Sequence, residues 1–171
     1  MKTPIISIVA AIDKNNGIGR GNKMAWRIRE DLIRLSNMTR GKIVILGRNS
    51  YESMAGYYDV SGKPMPAREY IVVTHQKDFK SSRNNTYTAL SIDDALKRAN
   101  ESGEDEVFII GGAQIFKQTI SLADKLYLTL VNKDFGCDTF FPDYNQFSKE
   151  LYSEKGKSEE LEFEYKILVK P

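Results

Sequence analysis

Apolar residues fall along this chain in short unbroken runs, separated by stretches in which they recur every third or fourth position. IVIL at 43–46, YIVV at 70–73 and VFII at 107–110 are continuous rather than alternating, as in strands covered by helices on both faces. Runs and periodic stretches together predict strand 5–13, helix 28–39, strand 42–47, helix 49–55, strand 69–75, helix 91–101, strand 106–111 and helix 113–121. The tail differs, because KLYLTLVNKDF, TFF and LEFEYKILV follow one another with no helical stretch between them. These segments are expected to extend the same sheet with antiparallel strands. The fold class is therefore α/β: a mixed, mostly parallel central sheet flanked by helices, ending in antiparallel strands.

Length and charge narrow the picture further. A chain of 171 residues, 41% of them hydrophobic and with no long linker, is expected to form a single domain over 1–171, burying roughly 70% of its unfolded surface. Its 25 basic and 23 acidic residues are interspersed, which argues against a nucleic-acid footprint. The cations between Lys77 and Arg83 read as a solvated loop. Lys2 followed by the apolar run Pro4 to Ile12 superficially resembles a secretory signal, but the run is short, lacks an A-x-A-like cleavage site and passes straight into DKNNG. It reads as a buried strand, and no stretch approaches the roughly 20 apolar residues of a membrane span. A lone cysteine, Cys137, excludes an internal disulfide and fits a reducing compartment.

The informative chemistry begins at Asp31. Ile28, Leu32, Leu35 and Met38 form a helical stripe, and Asp31 falls on it. Two explanations are open: Glu30 and Asp31 complement the positive end of a helix, or Asp31 points into a cleft and accepts hydrogen bonds from a ligand. Three loops follow apolar runs. NNGIGRGNKMAW, with three glycines before Trp26, is long and suits a lid. GRNSYES places Gly47, Arg48, Asn49 and Ser50 at a helix start, where free N–H groups favour an anion or where Asn49 or Ser50 merely caps the helix. In IGGAQIF, Gly111 and Gly112 allow close backbone approach to a ligand. Neither the G-x-G-x-x-G nor the P-loop pattern occurs.

In this order the pieces resemble the bacterial type of the dihydrofolate reductase family. The resemblance runs through ISIVAAIDKNNGIGRGNKMAW, REDL, KIVILGRNSYESM, PMPAREYIVVTHQ, VFIIGGAQIF and KLYLTLVNKDFGCDTFFPDY, essentially the whole chain. It implies NADPH as cofactor, dihydrofolate and antifolate-type small molecules as partners, no metal, a monomer and a cytoplasmic location. Asp31 matches the family's pterin-binding acid, supported by Thr129, with Met24 and Trp26 in the lid over the reacting ring. Val9, Ala11, Ile18 and Ile110 match positions flanking the pterin and nicotinamide rings. Leu32, Leu35, Met54 and Met65 match the walls around the benzoyl group, and Arg68 the arginine that grips the substrate's glutamate. For the cofactor, the resemblance implies Gly19, Gly47, Arg48, Asn49, Ser50, Thr74, His75 and Gln76. It also implies the segment Gly111, Gly112, Ala113, Gln114, Ile115 and Phe116.

Several positions depart from the family pattern. Ala25 stands where proline is usual before the tryptophan, Leu35 where an aromatic is common, and Phe116 lacks a hydroxyl often present. Ala113 and Cys137 occupy positions often held by glycine, and Arg27 and Arg29 give the helix a basic start. GYYDVSGK is expected to lengthen the rim beside the benzoyl pocket. The related reductase of riboflavin biosynthesis is the nearest rival reading, and a non-catalytic binding protein on the same fold is another. Asp31 and Arg68 count against the former, whose substrate has neither a pterin nor a glutamate tail.

Overall fold

The computed structural model describes residues 3–21 and 23–171. Lys2 of the signal-like start and Asn22 of the glycine-rich loop lie outside the described residues. The chain runs β1 (Ile5–Ile12), β2 (Gly17–Gly19), α1 (Arg29–Thr39), β3 (Ile43–Gly47), α2 (Arg48–Ser61), β4 (Glu69–Val73) and β5 (Thr86–Ala89). It continues through α3 (Ile92–Glu101), β6 (Glu106–Ile109), α4 (Ala113–Thr119), β7 (Lys125–Val131), β8 (Thr139–Phe140), β9 (Lys149–Ser158) and β10 (Leu161–Val169).

Eight strands form one sheet in the order β5-β4-β3-β6-β1-β7-β10-β9. Neighbours from β5 to β7 are parallel, and β10 is antiparallel to both β7 and β9. The continuous apolar runs become central strands because each feeds two faces. In β3, Ile43 and Ile45 join a core with Ala95 and Ala99 of α3 and with Ile115 and Phe116 of α4. Val44 and Leu46 face the other way, toward Tyr51 of α2 and Met38 of α1. All four β3 side chains are fully buried, each contributing on the order of 1.5–3 kcal/mol. The N-terminal run is likewise a central strand, β1, between β6 and β7.

Two expectations are corrected, and a third feature was not foreseen. TFF does not extend the main sheet: β8 pairs with β2 in a separate two-stranded sheet, because backbone contacts tie residues 138–141 to the glycine-rich loop. The helix expected at 49–55 runs from Arg48 to Ser61, so most of GYYDVSGK is helical and only Gly62, in the left-handed conformation, stops it. The third concerns KELYSEKGKS, a ten-residue edge strand (β9) whose largely exposed side chains hid it from any reading of apolar runs. Short β5, TYTA, was missed for the same reason.

Candidate active site

β4, β3, β6 and β1 are neighbours and parallel, so their C-terminal ends open on one edge of the sheet, where ligands settle in open α/β folds. Most of the residues singled out from sequence stand at this edge or on the helices that leave it.

Asp31 lies in the first turn of α1, and its Oδ1 accepts a hydrogen bond from Thr129 Oγ1 at 2.5 Å. Thr129 is 2% exposed and sits directly opposite Ala11 of β1 on one side and Tyr165 of β10 on the other. Ala11, Thr129 and Tyr165 thus form a row across three strands, and Asp31 is tied to its middle. This favours the cleft reading over simple dipole complementation: Glu30 is exposed, whereas Asp31 is half-buried and committed to the sheet. Burial pushes the Asp31 carboxyl above its ordinary value, while the Thr129 hydroxyl and the Arg34 charge pull it down.

The rest of the α1 stripe is unusual for a packed helix. Leu32 and Leu35 are only half-buried, and neither joins an apolar cluster, while Met38 does. Met54 of α2 and Met65 lie in the cluster across from α1, with Val9 and Ile110 against the same cluster. An apolar wall on each side, with Asp31 at one end, is a cleft between α1 and α2. Arg68 lies toward the other end, its backbone N–H donating to Lys42 O just past α1. From Asp31 to Thr39 the helix rises about 12 Å, the scale of a benzoyl-glutamate arm. Arg68 is half-exposed and pairs with Glu104 Oε1 at 2.8 Å, which leaves other donors of its fork available.

The two glycine turns meet. Gly47 N donates to Gly111 O at 2.7 Å, and Ile110 N donates to Ile45 O at 3.1 Å, carrying the β3–β6 ladder past the strand ends. A Cβ on either Gly111 or Gly112 would lie 3.1 Å from Ser50 Oγ, and Gly111 also has φ +142°. Glycine therefore keeps a cradle open that any side chain would fill. Gly111 and Gly112 are joined by a cis peptide bond. Asn49 and Ser50 open α2 without any side-chain cap bond, and Arg48 Nε donates to Glu52 Oε1 at 3.0 Å. Thr74, half-buried, accepts from Gln76 N, and His75 and Gln76 are exposed at the end of β4. Ala113 and Gln114 begin α4, whereas Ile115 and Phe116 turn into the core, Phe116 meeting Phe141 edge-to-face with ring centroids 5.0 Å apart.

The glycine-rich loop is anchored at both ends. Trp26 is 7% exposed, packed with Ile28, Val131 and Phe163 and 5.1 Å from the Phe135 ring, while Met24 is exposed. Ile18 packs against the core, and Gly19 passes so close to Lys23 O that a Cβ would lie 2.9 Å from it. Sequence reasoning missed Asp13, a buried carboxylate that accepts from the backbone N–H groups of Asn15, Gly17 and Phe135 and fastens the loop at its root. Burial alone would raise its pKa, but those three donors hold it below the ordinary value. It also missed Asp138, which bonds Gly21 N at 3.0 Å, and Arg34. Among the described residues, two buried side-chain donors have no acceptor, Trp26 Nε1 and Arg34 Nη1, and they lie on either side of Asp31 in sequence. A hollow of about 790 Å³ elsewhere on the surface, bounded by Lys14, Tyr144, Lys155 and Glu164, is lined by neither of them.

The family model for dihydrofolate reductase matches residues 5–170. Dihydrofolate reductase of Bacillus subtilis is 34% identical over 167 residues, covering 96% of this chain and 93% of its own. That of Neisseria gonorrhoeae is 38% identical over 141 residues, covering 82% and 81%. Among solved structures, a dihydrofolate reductase from Enterococcus faecalis complexed with NADP(H) and an RAB-propyl compound superposes with TM-score 0.81 at 26% identity, covering 98% of this chain and 97% of that one.

Proposed function

The chain belongs to the dihydrofolate reductase family, and from that premise we propose which of its residues do the work. The reaction is the NADPH-dependent reduction of dihydrofolate to tetrahydrofolate, a step of one-carbon metabolism. One observation carries the assignment of roles: a half-buried carboxylate, held at one oxygen by Thr129, at the head of an apolar cleft.

Asp31 accepts the 2-amino and adjacent ring N–H of the pterin, two parallel charge-assisted bonds that fix the ring's orientation. Thr129 spends its proton on Oδ1 and so holds the carboxylate plane for that contact. Val9, Ala11 and Ile110 bound the ring, Leu32, Leu35, Met54 and Met65 sandwich the benzoyl group, and Arg68 grips the glutamate carboxylate. Trp26 Nε1, a buried donor with no protein acceptor, suits an oxygen held beside Asp31. A water there passes the proton to the ring nitrogen next to the carbon being reduced, and Met24 and Trp26 shield that exchange from bulk solvent.

The residues present fit NADPH. Gly111 and Gly112 form the cradle, Gly47 makes the turn beside it, and Arg48, Asn49 and Ser50 offer free N–H groups and a cation to its phosphates. Thr74, His75 and Gln76 stand at the neighbouring strand end, Ile18 and Gly19 belong to the overlying loop, and Ala113, Gln114, Ile115 and Phe116 shape the turn. NADPH, when bound, supplies the hydride. No helix among the described residues is long and apolar enough to cross a membrane. A single cysteine fits a cytoplasmic location, and the enzyme is proposed to act as a monomer.

The test follows absorbance loss as purified protein meets NADPH with dihydrofolate, and separately with the ribosylamino-pyrimidine of riboflavin biosynthesis. Turnover confined to dihydrofolate, lost in Asp31→Asn, supports the assignment; turnover of the pyrimidine, or an indifferent Asp31→Asn, overturns it.

A further inference from the structure

Arg34 has no place in the roles above, yet its surroundings are the least ordinary on α1. It lies three residues after Asp31, which puts the two side chains on one side of the helix with Cβ atoms about 5–6 Å apart. Its guanidinium carbon sits 3.6 Å from the centroid of the Tyr165 ring, flat-on contact with the residue directly across from Thr129. Its Nη1 is buried without any acceptor among the described residues. Arg48, Arg68, Arg83 and Arg98 each pair with a carboxylate, whereas among the described residues Arg34 pairs with none within salt-bridge distance. A guanidinium nitrogen buried without an acceptor is costly, so a packing role alone would be better filled by an apolar side chain.

We propose that Arg34 is a positioning residue for Asp31: pinned on the Tyr165 ring, it sets a fixed positive charge beside the carboxylate and keeps it ionised to receive the pterin's donors. Around the pair stand Thr129 and Tyr127 on β7, Tyr165 on β10, Glu106 on β6, and Tyr152 on β9, whose hydroxyl donates to Glu154. Tyr127 and Tyr165 keep their protons far above neutral pH, Tyr165 being pushed up to about 12 by burial. Glu106 is occupied by Ser7 and Tyr127. Lys125, four positions before Thr129 on β7, donates to the Tyr127 hydroxyl at 3.4 Å, so Arg34 is the cation on the Asp31 side of this group. Against the desolvation that raises Asp31, only Thr129 and Arg34 act, and Arg34 alone does so through charge.

The proposal rests on the role given to Asp31 and is tested apart from it. The carboxyl carbon of Asp31, identified by loss of its signal in Asp31→Asn, is titrated by NMR in ligand-free wild type, Arg34→Met and Arg34→Lys. The pH profile of kcat/KM for dihydrofolate is then measured on the same proteins. Arg34→Met is expected to move the carboxyl midpoint upward by about one pH unit, a roughly tenfold change in the protonation ratio, and the acid limb of kcat/KM with it. Arg34→Lys, which keeps the charge, should recover most of that shift. Should Arg34→Met unfold, Arg34→Gln takes its place. An unmoved midpoint in the folded neutral variant, or equal shifts in the neutral and lysine variants, overturns the proposal. A shifted carboxyl midpoint with an unshifted kinetic limb would instead overturn the role of Asp31 in binding.

Discussion

Asp31→Asn isolates the charge of the cleft carboxylate with almost no change of shape. The amide oxygen can still accept from Thr129 Oγ1, as Asp31 Oδ1 does at 2.5 Å. That choice turns the amide NH2 toward the substrate's own donors, so two charge-assisted bonds are lost and replaced by facing hydrogens. At about 1.5–3 kcal/mol each, the loss is about 3–6 kcal/mol, or a factor of roughly 10² to 10⁴ in kcat/KM at pH 7. The deficit should narrow as pH falls and solvent protonates the dihydrofolate ring without assistance. Stability should move the other way. Burial raises the proton affinity of Asp31, so the ionised form burdens the folded state. That burden is absent below the unfolded value of 3.8 and grows as pH rises through the folded value, so the Tm of Asp31→Asn should equal or exceed that of wild type, and more so at neutral pH. Stopped-flow NADPH oxidation from pH 5 to 9, with thermal melts on the same samples, reads both quantities. A kcat/KM within threefold of wild type at pH 7 would remove Asp31 from the mechanism.

Three further outcomes are expected. Arg68→Leu should raise the KM for dihydrofolate at least tenfold more than that for a pterin lacking the glutamate; equal losses would make the Arg68–Glu104 pair purely structural. In isothermal titrations, Arg48→Ala should lower the NADPH-to-NADH affinity ratio by roughly tenfold, at about 1.4 kcal/mol per decade, and an unchanged ratio would show that α2 does not meet the distinguishing phosphate. Gly17→Ala would place a Cβ 2.4 Å from Cys137 Cβ and 2.9 Å from Asp13 Oδ1, so it should cost about 1–3 kcal/mol in chemical denaturation. Cys137→Gly should relieve much of that cost in the double variant, and a loss that is the same in both backgrounds would place the strain elsewhere.

The central strands were legible because burial on two faces demands unbroken apolar runs such as IVIL, and the glycine turns because close backbone approach demands glycine. Asp31 was legible because a carboxylate contradicts the stripe around it. What stayed hidden depends on register. Nothing local tells that Tyr165 lies across from Thr129, and without that row Arg34 reads as another solvated cation. The edge strand β9 was invisible because an exposed strand needs no apolar period, and the extension of α2 because Gly56 and the tyrosines of GYYDV resemble a loop until a helix carries them. TFF was read as a main-sheet strand because its composition suits any strand; its partner, the three-residue β2, was too short to notice.

The position of β10 carries a consequence for how the enzyme comes into being. Residues 161–169, near the end of the chain, slot between β7 and β9 and bring Tyr165 to the wall of the cleft. During synthesis, the parallel strands can emerge and associate, but β7 keeps an open edge until β10, which follows every other strand in sequence, clears the ribosome. The nascent chain therefore passes through a stage with its parallel strands assembled, Thr129 without its neighbour Tyr165 and a sticky strand edge exposed. Ribosomes stalled a few residues short of β10 should carry chains that engage chaperones and reduce nothing, and catalytic competence should arrive in a single late step.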